Sequence, residues 1–153
     1  MGSVIPLQGT LYLDSNCFIY SIERIEPYQT LLQPVWESAR DGYCSIVTSE
    51  LTVLETLVKP MQSGNAVLEQ AFRALLQETQ EVTLLPITLA ILEQAARFRA
   101  ISHVKTPDAI HAASSLAVKC SNFLTNDIGF RRIAGLPVTI LSETQQIGQE
   151  KPL

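Results

Sequence analysis

Four acidic side chains stand where acids can do chemistry: Asp14, Glu55, Asp108 and Asp127. The densest signal surrounds the third, in Lys105-Thr106-Pro107-Asp108-Ala109-Ile110-His111-Ala112-Ala113. An acid follows a proline there, at the head of a small, apolar run. Thr106 is expected to cap a helix, with Pro107 at its first position, where no N–H is needed. Asp108 then falls in the first turn, where the positive end of the helix dipole favours its ionised form. A good helix start accounts for all of this without any function. Chemistry enters when the other acids converge on Asp108. Carboxylates crowded into a partly dry pocket cannot all stay ionised without a cation. An oxygen-rich cluster suits magnesium or manganese. Such an ion can activate a water and offset charge on a phosphodiester during in-line displacement.

The elements that must position these acids follow from the hydrophobic pattern. Strands are expected near 10–13, 43–47, 82–85, 122–125 and 137–141. Helical patterns separate them: one after Asp14, one at 28–40 with Pro34 inside, and one from a Thr48 or Ser49 cap to about Lys59, ended by Pro60. Further helices are expected at 66–80, from Thr88 through Phe98, and from Thr106 to about Lys119. Alternating strands and helices imply an α/β fold with a parallel sheet of about five strands and helices on both faces. Asp14 ends the first strand and Asp127 lies just past the fourth, so both reach the carboxyl edge, where ligands bind in such sheets. Capping the next helix is an equally good role for Asp14. Glu55 lies four residues after Leu51 and three before Val58, on the border of the apolar face, where an acid needs a partner or a metal. Glu50, in the first turn of the same helix, is accounted for by the dipole. His111, one turn beyond Asp108, is expected to pack or hydrogen-bond nearby rather than to ligate.

Composition narrows the classes. The 153 residues are 46% hydrophobic and 17% charged. One domain over residues 1–153 is expected, with a core at about 10–141 and a polar tail at 144–153. No apolar run approaches the roughly 20 residues of a membrane helix. Residues 1–10 lack the regions of a signal peptide, so a cytoplasmic protein is expected. Cys17, Cys44 and Cys120 lie far apart without metal-ligand spacing and read as small apolar residues in a reducing compartment. With His103 and His111 the only histidines, zinc is disfavoured. No Gly-rich phosphate loop and no Gly-x-Ser-x-Gly elbow is present. The net charge of −4 is unevenly spread. Residues 1–96 hold four basic and eleven acidic side chains. Residues 97–132 hold Arg97, Arg99, Lys105, Lys119, Arg131 and Arg132 against only Asp108 and Asp127. Ordinary solvated helix charge and contacts to a phosphate backbone both fit that segment.

The chain resembles the PIN domain family, and most of all the VapC-type toxin ribonucleases of toxin–antitoxin pairs. The resemblance is carried by Leu13-Asp14-Ser15-Asn16, by Ser49-x-x-Thr52-x-x-Glu55-x-Leu57, by Pro107-Asp108-Ala109-x-His111-Ala112-Ala113, and by Leu124-Thr125-Asn126-Asp127. It implies a three-layer α/β/α fold whose acidic pocket holds one or two Mg²⁺ or Mn²⁺ ions and cleaves RNA. By motif position Asp14, Glu55, Asp108 and Asp127 match the metal-binding, catalytic acids, while Glu50 does not match. Asn16 and Thr125 match polar residues that support those acids. Arg97, Arg99, Lys105, Arg131 and Arg132 are then expected to hold the RNA backbone. The resemblance further implies a homodimer and an antitoxin partner that covers the pocket with an Arg or Lys among the acids. Apolar helices between 28 and 80 could form the dimer surface, although core packing explains them as well. Other readings of the same residues are a housekeeping RNA-processing nuclease, a non-catalytic PIN-fold module that binds RNA or protein, and a phosphatase of small phosphomonoesters.

Overall fold

The computed structural model describes residues 4–144. Residues 1–3, part of the segment expected to carry no signal peptide, and 145–153, most of the expected polar tail, lie outside the described residues. Five strands, β1 (Gly9–Leu13), β2 (Cys44–Ser49), β3 (Val82–Leu85), β4 (Asn122–Thr125) and β5 (Val138–Ile140), form one sheet. All neighbours are parallel and the spatial order is β3-β2-β1-β4-β5. Among the described residues the six α-helices are α1 (Ser15–Ile22), α2 (Tyr28–Arg40), α3 (Leu51–Ser63), α4 (Ala66–Arg73), α5 (Leu89–Ser102) and α6 (Thr106–Ala117). Among the described residues no helix is long and apolar enough to cross a membrane.

Side-chain alternation along the strands divides the interior into two cores. Leu11, Leu13, Ile46 and Leu124 point to one face and pack with Phe18, Leu32, Val35 and Leu76. Tyr12, Val47 and Phe123 point to the other and pack with Ala95, Ala109, Ala112 and Ala113. The result is the expected three-layer α/β/α sandwich. The alanines of α6 carry almost no side-chain bulk, so that helix can lie close to the sheet with Asp108 at its head.

The strand order explains why the acids gather. The chain builds outward from β1 through β2 to β3, then returns to add β4 and β5 on the other side of β1. The reversal leaves a crevice at the carboxyl ends of β1 and β4, the position where open α/β sheets bind ligands. Leu13 pairs with Leu124 there, so the residues after both strands emerge side by side.

Several local expectations are corrected. β2 is longer than 43–47: Thr48 and Ser49 pair with Leu84 and Leu85 and belong to the strand. Neither holds the cap position of α3, which is Glu50; the Ser49 hydroxyl, one residue earlier, accepts from the Leu51 N–H at 3.1 Å. α3 does not end before Pro60 but runs through it to Ser63. A proline removes a single amide donor, and here its buried ring sits in the closing turn. The stop is Gly64, left-handed at φ 69°, after which the Asn65 N–H reaches back to the Pro60 carbonyl at 2.9 Å. The helix expected at 66–80 is α4 followed by a π-helical turn, Ala74–Glu78. The strand expected at 137–141 is shorter, with Leu141 already in a 3₁₀ turn. Thr106 is not the cap of α6; it is already helical, Lys105 holds the cap position, and no side chain caps that end.

Candidate active site at the carboxyl edge

Asp14 is the first residue after β1 and only 5% exposed. Its Oδ1 accepts from the Cys17 N–H at 3.3 Å and caps α1. Its Oδ2 accepts from the Thr125 hydroxyl at 2.5 Å. The same hydroxyl oxygen accepts from the Asp127 N–H at 3.1 Å. Thr125, at the end of β4, therefore fixes both strand-end acids. The capping role expected for Asp14 and its place at the crevice are both present. Asp127 lies further out; its Oδ1 accepts from the Gly129 N–H at 2.8 Å and starts a 3₁₀ turn, Ile128–Arg132. Burial pushes the Asp14 carboxyl above its ordinary value, and the Thr125 and Cys17 bonds only partly oppose that. Replacing Thr125 by Val should cost about 1–3 kcal/mol, because the buried Oδ2 of Asp14 and the Asp127 amide are each left without a partner. Thermal unfolding checks this, and Thr125→Ser, which keeps the hydroxyl, should recover most of the loss.

Asp108 sits half-buried in the first turn of α6. Among the described residues its carboxylate makes no hydrogen bond or ion pair. The dipole was expected to favour ionisation, yet the carboxyl is raised above its ordinary value. Burial is the largest cause, then the charge of Asp127, with Asp14 and Glu55 adding to it and His111 opposing. Desolvation and like charge together outweigh one helix end. Asp127, Asp14 and Glu55 thus all lie within electrostatic reach of Asp108.

Glu55 approaches from α3 and is a quarter exposed. Its Oε1 lies 2.6 Å from Nε2 of His111. His111 is only 2% exposed, and its Nδ1 lies 2.6 Å from the Tyr12 hydroxyl. That hydroxyl in turn accepts from the Ser49 N–H at 3.1 Å. His111 thus hydrogen-bonds as expected, but to residues from two other elements rather than to its own helix start. Tyr12 is a site residue that its sequence neighbourhood does not single out. A signal was there nonetheless: a tyrosine alternating with Leu11 and Leu13 must bury its hydroxyl on the opposite face, where it needs a partner.

The free oxygens of the pocket decide whether it suits a divalent ion. Among the described residues no three His, Cys, Asp or Glu side chains stand close enough together to hold a metal by themselves. Mg²⁺, however, keeps several waters and commonly takes only one or two carboxylates directly. Asp108, Oδ2 of Asp127 and Oε2 of Glu55 have no hydrogen-bond partner among the described residues. These oxygens fit a hydrated, hard cation; among the described residues His103 is the one imidazole lining the cavity that holds Asp108 and Asp127, and no thiolate lines it, a donor set that fits zinc poorly.

The basic residues divide. Lys105 and Arg132 line a cavity of about 360 Å³ together with Asp108, Asp127 and His103. Arg131 is occupied by a bidentate ion pair with Glu143. Arg99 donates to the Val104 carbonyl at 3.2 Å, and Arg97 to Gln94 Oε1 at 3.2 Å. Asn16 is exposed on α1 and makes no side-chain hydrogen bond among the described residues. Glu50 accepts from the Ile87 N–H at 3.2 Å and so ties α3 to the segment after β3. A separate cavity of about 410 Å³, lined by Trp36, Arg40 and Glu81, holds none of the four acids.

A parallel α/β sandwich with acids gathered at its switch point defines an acidic-pocket α/β domain. The sequence matches the PIN domain over residues 11–136, and the chain belongs to that family. Solved structures share the fold at low identity. VapBC2 from Rickettsia felis, bound to a promoter DNA fragment, is 17% identical with a TM-score of 0.67, over 86% of this chain and 98% of that one. VapC20 from Mycobacterium tuberculosis, a sarcin–ricin loop cleaving toxin, is 18% identical with a TM-score of 0.67, over 82% and 95%. FitAcB from Neisseria gonorrhoeae is 18% identical with a TM-score of 0.64, over 86% and 98%. No curated protein matches the chain in sequence.

Proposed function

We propose that this chain is a Mg²⁺- or Mn²⁺-dependent endoribonuclease and the toxin of a toxin–antitoxin pair. The observation that carries the reading is the half-buried Asp108 at the switch point of a PIN sheet, its carboxyl without a hydrogen-bond partner among the described residues and raised by burial and then by the charges of Asp127, Asp14 and Glu55. Such a site favours a cation, and a divalent ion bound there supplies Lewis-acid stabilisation for phosphodiester displacement. Asp14, Glu55, Asp108 and Asp127 would hold that ion, in part through water. Thr125 keeps Asp14 and Asp127 in place, and Asn16, exposed beside Asp14, orients solvent or substrate. A partly exposed carboxylate takes the proton of the attacking water. Hydrolysis of purified RNA that is as fast in Asp108→Asn as in the wild type would remove the reading. Activity on small phosphomonoesters with none on RNA would point to a phosphatase instead.

Lys105 and Arg132 line the cavity that holds Asp108 and Asp127, which supports their contacting a phosphate backbone near the acids. Alanine at both should weaken single-stranded RNA binding and lower the salt slope by about 0.7 for each phosphate that is no longer neutralised. Arg131→Ala should change it little, because that guanidinium is already paired with Glu143. Binding titrations at several salt concentrations check both. The Rickettsia VapBC2 structure and the Klebsiella pneumoniae toxin–antitoxin complex, 20% identical with a TM-score of 0.59, share this fold, which supports an antitoxin partner here. Homodimerisation fits the exposed stripe Leu54, Val58 and Met61 on α3, spaced by four and three residues. A single cytoplasmic domain over 1–153 completes the reading.

A further inference from the structure

We infer that His111 is a positioning residue for Glu55, its tautomer set by Tyr12, and that this relay withholds the His111 ring from the metal. The inference rests on the proposed metal site and adds to it the means by which one acid is held. An ionised carboxylate can only accept, so the 2.6 Å contact requires the proton on Nε2 of His111. In the neutral ring Nδ1 is then an acceptor, and the group facing it at 2.6 Å is the Tyr12 hydroxyl. The Tyr12 oxygen is oriented by the Ser49 N–H at 3.1 Å, which leaves its single proton for Nδ1. The relay runs from the end of β2 through β1 and α6 to α3.

Two consequences follow from this geometry. Glu55 sits on a helix, separate from the strand ends that fix Asp14 and Asp127, and a long side chain there is otherwise free to rotate. The imidazole, itself locked by burial and by both ring nitrogens, clamps Oε1 and leaves Oε2 for the pocket. His111 also has no nitrogen to spare. A histidine beside four acids would ordinarily recruit borderline metals, but both nitrogens of His111 are already committed, so this ring offers the pocket no donor. The arrangement is that of a hydrogen-bonding partner that orients a ligand without being one.

The first measurement is the ¹⁵N spectrum of the histidine rings of the full chain at mildly alkaline pH. His103 is the only other histidine, so His103→Gln assigns the signals. The Nε2–H tautomer is expected at His111; an Nδ1–H tautomer overturns the relay. The second is Mn²⁺ affinity by calorimetry in folded variants, with circular dichroism as the check on folding. His111→Gln keeps an amide donor within reach of Glu55 and should bind within about threefold of wild type. His111→Asn withdraws that donor and should bind about 10–100-fold more weakly, the usual scale when a ligand's orienting partner is removed. Equal weakening in both variants, or none in a folded His111→Asn, overturns the positioning role. Tyr12→Phe should shift the tautomer equilibrium while leaving the ring in place; an unchanged spectrum counts against Tyr12. If the wild type takes up no Mn²⁺ while the ring is Nε2–H, the metal reading fails and the relay stands.

Discussion

Replacing Asp14 by Asn should stop metal-dependent RNA cleavage and, in metal-free protein, make the fold harder to unfold. The two effects have one origin. Asp14 is held 5% exposed against the strand ends, and burial raises its carboxyl. Among the described residues an ionised carboxylate there accepts hydrogen bonds only from the Thr125 hydroxyl and the Cys17 amide. Asn keeps the shape and an oxygen for the α1 cap but carries no charge. Cleavage should fall by about 10²–10³-fold, the scale of removing one electrostatic partner of a transition state. The melting temperature should rise by about 2–4 °C, the response to roughly 1 kcal/mol in a chain of this size. The pH dependence has a definite sign. An unfolded aspartate loses its proton near pH 4, whereas the folded Asp14 and Asp108 hold theirs to higher pH. Through that window the folded state binds more protons than the unfolded one, so stability falls as pH rises. Asp14→Asn should flatten its share of that fall. Unfolding curves across acidic to neutral pH, with chelator present, read it directly.

Replacing Phe123 by Ala should cost about 3–5 kcal/mol, the scale of emptying a large aromatic site in a packed core. Phe123 is fully buried on β4. It stacks on Tyr12 with ring centres 4.9 Å apart and planes within 6°, and it meets Phe130 at 4.6 Å. It therefore joins the two central strands to the turn that follows Asp127. Native domains hold only about 5–15 kcal/mol in total, so the melting temperature should drop by roughly 10 °C. The damage should also reach the site, because Tyr12 is the ring that Phe123 supports and the one that anchors His111. Cleavage measured well below the new melting temperature should fall even though the protein is folded. Val67→Ala, at a side chain 83% exposed, should stay within about 0.5 kcal/mol of wild type.

The fold was legible because its pattern is local and repeated. Each strand is a short apolar run bounded by a turn, and alternation with helices leaves a parallel sheet as the simple outcome. The four acids were legible for the same reason: three lie at element ends, where sequence marks the boundary, and Glu55 lies on a helix border. What escaped depended on contacts between distant residues. Pro60 reads as a stop, but the turn that closes α3 is made by Gly64 and Asn65. Thr106 reads as a cap, but no side chain caps that end of α6. The ionisation of Asp108 could not be judged from its own helix, since Asp127 and burial decide it. Arg131 and Lys105 look alike in sequence, and only the distant Glu143 tells them apart. Tyr12 and His111 are 99 positions apart, and nothing local joins them.

The most direct test of the proposed metal-dependent ribonuclease activity is cleavage of a labelled RNA by wild-type protein stripped of metal with a chelator and then resupplied with Mn²⁺. No cleavage is expected after stripping, with recovery on adding Mn²⁺ or Mg²⁺ and no recovery in Asp14→Asn. Cleavage that continues undiminished in the stripped protein, or that returns fully in Asp14→Asn, would contradict the assignment.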